Sequence, residues 1–95
     1  MENDFKRCAA FMKALSDETR LRIFYMLSGK KLCGCEILEH LSITQPTLSY
    51  HMKILCSSGL INEEKCGVWK KYCVNKEAVK CFRSFIGRAC EKAEV

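Results

Sequence analysis

Apolar residues recur at helical spacing from the start of the chain. Phe5, Cys8, Ala9, Met12 and Leu15 predict an amphipathic helix over residues 4–15. In "LSDETRLRIFYMLSGKK", Ser16 or Asp17 suits a helix cap, Asp17 and Glu18 suit a positive first turn, and Gly29 with two lysines suits the end. Ile23, Phe24 and Leu27 form its inward stripe, with Leu21 flanking. A short third helix is expected over residues 35–41, with Ile37, Leu38 and Leu41 inward. After "SIT", a fourth runs from Gln45 to Ser57, burying Leu48, Met52 and Leu55. Pro46 falls in its first turn, where a missing N–H costs little, and Gly59 supplies the stop. Two helices joined by so short a turn form a helix-turn-helix.

The period then changes. "LINEEKCGVWKKYCV" reads as two strands around a Cys-Gly-Val-Trp turn, and residues 76–91 return to helix with Val79, Phe82, Phe85, Ile86 and Ala89 on one face. No repeat, low-complexity tract or linker divides residues 1–95. The expected fold is mainly α with a β-hairpin wing: a single winged helix-turn-helix domain.

Ninety-five residues with 48% apolar content can form a core, but so small a domain gains from pairing, so a homodimer is expected. A net charge of +5 favours a polyanionic partner, a solubilising surface being the plainer alternative. The start "MENDFKRC" does not resemble a signal peptide, and no apolar run approaches the roughly 18 residues of a membrane span. A cytoplasmic location follows as the expectation, with the eight cysteines as thiols rather than disulfides. No acid–base pair, nucleophile–base arrangement or phosphate loop suggests an enzyme.

A recognition helix offers its N-terminal outward side chains to the major groove of double-stranded DNA. Here these are Gln45, Thr47, Tyr50 and Lys53, with Ser49 suited to a phosphate. Gln can pair with adenine through two hydrogen bonds, and Thr can meet base edges or the thymine methyl. Lys65, Lys70 and Lys71 put cations around the hairpin turn, for DNA backbone contact or simply to keep a sheet edge from aggregating. His51 lies between the two faces of its helix and suits packing or a phosphate contact, while His40 reads as a surface residue.

"LSDETRLRIFYML", "LCGCEILEHL" and "SITQPTLSYHMKILCSSGLI" together resemble the arsenic-repressor (ArsR/SmtB) family over nearly the whole chain. The resemblance implies a homodimeric repressor that leaves its operator when a metal or metalloid binds. "LCGC" is similar to the cysteine motif of the family's arsenic and cadmium sensors, which makes Cys33 and Cys35 the implied ligands. Many relatives carry Arg where Tyr50 stands. The familiar third cysteine, two residues after the second, is replaced by Ile37.

Residues two apart on a helix point roughly 200° away from each other. Cys33 and Cys35 can therefore share an ion only at a helix start, where Gly34 permits unusual backbone angles. The helix N-terminus with Lys30 and Lys31 is expected to lower their thiol pKa. Thiolates select soft ions: As(III) or Sb(III) first, then Cd(II), Pb(II) or Cu(I). Zn(II) prefers four ligands, and the zinc site that other branches carry on the terminal helix needs histidines this helix lacks. With Cys56, Cys66 and Cys73 too far away, Cys8 is the best candidate for the third ligand, reaching from the partner protomer as N-terminal cysteines do in the related cadmium sensors; a packed core thiol and a small external thiol completing the shell are the competing readings. Cys90 is expected buried, Cys81 off the apolar stripe, Cys66 and Cys73 on the wing, and Cys56 at the end of the recognition helix. Two other functions remain open: a thiol-redox or persulfide sensor on the same fold, and a metal buffer.

Overall fold

The computed structural model describes residues 2–93. Helices α1 (Glu2–Ala14) and α2 (Glu18–Met26) are followed by a two-residue strand β1 (Leu32–Cys33), then α3 (Gly34–Leu38) and α4 (Gln45–Ser57). Strands β2 (Ile61–Cys66) and β3 (Trp69–Val74) form the hairpin, and α5 (Lys76–Ala93) closes the described chain. The expected winged helix-turn-helix is present, with α3 and α4 as the motif and β2–β3 as the wing.

Local chemistry explains the boundaries. The Asp17 carboxylate accepts the Arg20 N–H at 3.0 Å and caps α2. That same N–H is the main reason the Asp17 carboxyl titrates below its ordinary range. Thr44 caps α4 by accepting the Thr47 N–H, with Pro46 in the first turn. Gly67 turns the hairpin at φ 64°, a left-handed conformation that favours glycine.

Phe11, Ile23, Leu27, Ile37, Leu55, Leu60 and Ile61 form the fully buried centre, so every helix of the first half contributes to one core. The predicted stripes of α2 and α4 hold, except that Leu21 stays 49% exposed. The stripe of α1 is rotated from expectation: Cys8, Phe11 and Ala14 are inward, while Phe5, Ala9 and Met12 are exposed. On α5, Ala78 is buried and Val79, Phe82 and Phe85 pack on the core, but Ile86 and Ala89 are not covered. Phe5 meets Phe85 edge-on at 5.3 Å, so the uncovered residues of α1 and α5 adjoin.

Periodicity could not reveal β1. Two residues are too few to show alternation, yet they extend the wing to a three-stranded antiparallel sheet of order β1-β3-β2. In its register Leu32 faces Tyr72 and Cys33 faces Lys71.

Candidate DNA-binding face and thiol pair

Cys33 is the N-cap of α3, in extended conformation at φ −83° and ψ 165°. Its N–H donates to the Glu36 carboxylate at 2.9 Å, and the Glu36 N–H in turn points at the Cys33 sulfur. This is a capping box with cysteine where serine or threonine usually stands. Because Cys33 lies outside the helix, the 200° divergence of i and i+2 side chains does not apply, and its Sγ lies 2.8 Å from that of Cys35. The spacing Cys-x-x-Glu was the available sequence signal for Glu36, and the sequence reading passed over it. Cys33 is nearly buried and Cys35 exposed, so the pair opens to solvent on one side.

Electrostatics differ from expectation at this point. The Cys33 thiol is pushed above its ordinary value, first by its hydrogen bond with Cys35 and against the lowering effect of the Glu36 N–H. The nearest lysine on the sequence, Lys31, turns instead to Glu64 at 2.9 Å, and that partner raises the Lys31 pKa. The Glu36 carboxyl is held below its ordinary range by the Cys33 N–H, with Lys71 adding to the effect.

Cys8 is not brought to this pair. It is 1% exposed, packed between α1 and α5 beside Cys81, and burial followed by Cys81 raises its pKa. Within one protomer Cys8 takes the core position that its place on the predicted stripe gives it, away from the pair. Cys81, read as off the stripe, lies 3.9 Å from the Asp4 carboxylate. Cys90 is exposed rather than buried. Among the described residues, no group of three or more His, Cys, Asp or Glu side chains is placed to hold an ion.

Gln45, Thr47, Ser49, Tyr50 and Lys53 are exposed along α4, as their spacing requires. His51 takes the packing alternative rather than the phosphate contact: it is 8% exposed and turned inward, its Nδ1 3.1 Å from the Arg20 guanidinium. Arg20 also donates through Nε to the Ala14 carbonyl at 2.7 Å, so it ties α1, α2 and α4 together. The wing sets Lys65 directly opposite Lys70, while Lys71 lies opposite Glu64 and Cys33. Like charges facing each other across a ladder are destabilising. Lys70 has a long contact with Glu63 at 3.7 Å.

Helix α4, the wing and the thiol pair meet around one cleft. Cys33, Cys35, Leu38, Gln45, Ser49, Met52, Trp69 and Lys70 all contribute to its wall. An exposed polar helix face beside a cationic wing defines a winged-helix DNA-binding protein.

Comparison with known proteins agrees. Residues 17–63 match the family model for bacterial regulatory proteins of the arsR family. The chain is 42% identical over 73 residues to an arsenical resistance operon repressor of Staphylococcus xylosus, covering 77% of this chain and 70% of that one. It is 46% identical over 68 residues to the corresponding repressor of Bacillus subtilis, covering 70% of this chain and 65% of that one. The fold is similar to an ArsR-like transcriptional regulator from Rhodococcus sp. RHA1, with a TM-score of 0.82 at 21% identity, over 95% and 85% of the two chains. This chain belongs to the ArsR family, a non-enzymatic family of DNA-binding transcriptional regulators.

Proposed function

We propose that this protein is a transcriptional repressor that binds operator DNA as a homodimer and is released when As(III) or Sb(III) binds Cys33 and Cys35. The observation that carries the reading is the pair of thiols in mutual contact at 2.8 Å, at the N-cap of the first helix of the helix-turn-helix. Two converging sulfurs suit a soft, low-coordinate metalloid better than zinc, which takes four ligands. The curated relatives named above are arsenical resistance repressors, which supports the same inducer class. Cd(II) and Pb(II) rank below, for want of further protein ligands at the pair.

Release follows from what the ion would disturb. An ion between the sulfurs breaks their hydrogen bond and pulls on Cys33, which caps α3 and is paired with Lys71 of the wing. Both DNA-facing elements therefore connect to the thiols through short covalent or ladder paths. Gln45, Thr47 and Tyr50 read bases, and Ser49, Lys53, Lys65, Lys70 and Lys71 hold phosphates. His51 supports α4 from behind through Arg20.

Dimerisation uses the uncovered apolar face of α1 and α5. Phe5 is 50%, Met12 43% and Ile86 36% exposed, and they lie where periodicity puts a buried stripe. The chain acts in the cytoplasm, where thiols stay reduced.

The test is a gel-shift with DNA upstream of the gene, titrated with arsenite in the presence of dithiothreitol. Loss of the complex is expected. Release by peroxide alone, reversed by dithiothreitol, would instead establish the thiol-redox reading. Equal binding to unrelated DNA would establish the metal-buffer reading.

A further inference from the structure

Away from the Cys-Gly-Cys pair, the packing of α1 on α5 brings a second pair of thiols together. Phe5 meets Phe85 at 5.3 Å, Phe11 tilts against Phe82 at 5.7 Å, and Arg7 reaches Glu77 at 3.4 Å. Among these contacts Cys8 and Cys81 adjoin, close enough for the Cys81 side chain to be a hydrogen-bond partner of Cys8. Asp4, one turn before Cys8, lies 3.9 Å from the Cys81 sulfur through Oδ1 and 3.8 Å from the Arg88 guanidinium through Oδ2. The two thiols differ in access: Cys8 is 1% exposed, whereas Cys81 is only half-buried.

We propose that Cys8 and Cys81 are a redox pair, joined by hydroperoxide into a reversible disulfide within one protomer. This goes beyond the proposed function and does not depend on its inducer. The more accessible Cys81 reacts first: its sulfur takes one oxygen of hydrogen peroxide, becoming a sulfenic acid, and one water leaves. Cys8 then attacks that sulfur. Its S–H bond and the S–OH bond break, the S–S bond forms, and the proton and hydroxyl depart as a second water. The two thiols lose two electrons and the peroxide gains them, so no other reactant is needed. Burial raises the Cys8 pKa, which makes it a poor first target. It suits the second step, where a partner held in place substitutes for acidity.

The bond leaves both functional faces free. Cys81 is five residues from Ile86, about 140° around α5, and so lies off the uncovered apolar face. DNA contacts belong to α4 and the wing, and neither thiol lies on them. What changes is cohesion. The disulfide ties α1 to α5 and closes the helix-turn-helix and the wing into one loop between them. In the chain-entropy account, cross-links that close long loops stabilise most. Oxidation at this pair therefore makes the protomer harder to unfold while its operator contacts stay in place.

The experiment treats the full chain with hydrogen peroxide, alkylates the remaining thiols in denaturant, and maps tryptic peptides without reduction. Cleavage after Lys and Arg puts Cys8 in peptide 8–13, Cys81 in 81–83, and Cys33 with Cys35 in 32–53, so each linkage has its own mass. The expected product links 8–13 to 81–83, runs as a monomer on a denaturing gel without reductant, and is undone by dithiothreitol. Urea unfolding of the oxidised wild type should shift to higher denaturant. Cys81→Ser, which spares the buried Cys8, should lose both the linked peptide and the shift under the same treatment. Recovery of Cys8 and Cys81 alkylated, while Cys33 and Cys35 are linked, overturns the inference. Linkage of Cys8 or Cys81 only to another cysteine or to a second chain overturns it as well. A linked pair with no rise in the urea midpoint over Cys81→Ser overturns the stabilising role.

Discussion

Cys33 sits directly across the β1–β3 ladder from Lys71, so a thiol of the Cys-Gly-Cys pair and a cation of the wing share one rung of the sheet. Cys33 also caps α3, which leads into the recognition helix. One residue thus joins the two elements that face DNA, and a load placed on it reaches both.

Cys33→Ser and Cys35→Ser should separate binding from release. Serine is itself a good N-cap, so Cys33→Ser preserves the capping box and α3. Operator affinity should remain, while arsenite no longer dissociates the complex. A gel-shift titration checks both, and wild-type release from either mutant would move the sensing site elsewhere.

Readout and grip should respond differently. Gln45 is exposed in the first turn of α4, so Gln45→Ala should lower discrimination between operator and random DNA by about 1–3 kcal/mol. Lys70→Ala and Lys71→Ala should weaken both DNAs alike. Each lost phosphate contact should reduce the slope of log K against log salt by about 0.9. Competition binding at several salt concentrations measures both effects; equal losses on both DNAs for Gln45→Ala would remove it from base readout.

Asp17 should give stability an acid limb. Its carboxyl titrates below the ordinary range because the Arg20 N–H, then the charge of Arg20, favours the ionised form. A depressed folded-state pKa means the contribution is complete above the unfolded value, about 3.9, and is lost as pH falls through the folded value. Asp17→Asn keeps a capping side chain without a charge. Urea melts between pH 7 and pH 3 should show a shallower acid decline for Asp17→Asn than for wild type.

The uncovered face of α1 and α5 should decide assembly. Met12→Glu combined with Ile86→Glu places charges on it without entering the core, since both positions are exposed in the single chain. Sedimentation should give a dimer for wild type and a monomer for the double variant. Affinity for a two-half-site operator should fall with it, because the half-sites are then bound independently.

Much of the fold was legible because it rests on long periodic elements with strong punctuation. Gln45–Ser57 was bounded by Pro46 and Gly59, and the hairpin by a turn containing Gly67. The rotation of α1 was not legible, since Phe5, Ala9 and Met12 have the same helical spacing whether they face a core or a second chain. Phe11 and Ala14, which the core uses, belong to an adjoining stripe of similar polarity. The meeting of Cys33 and Cys35 at a helix start was legible from their spacing around Gly34. The sequence reading misjudged the direction in which the Cys33 thiol is shifted, because Lys31 pairs with Glu64 and the hydrogen bond from Cys35 raises the Cys33 pKa. Both depend on a strand of two residues and its neighbour, which no periodicity can announce.

Trp69 is the chain's one tryptophan, and it stands at the mouth of the cleft beside the thiols. Its emission should consequently respond to events at this place and to no other indole. Arsenic is a heavy atom, and one seated near the ring would be expected to quench it. The protein therefore carries an optical reporter of its own occupancy, readable in stopped flow without a dye. Paired with a labelled DNA end, it would tell whether the ligand arrives before the DNA leaves or only afterwards.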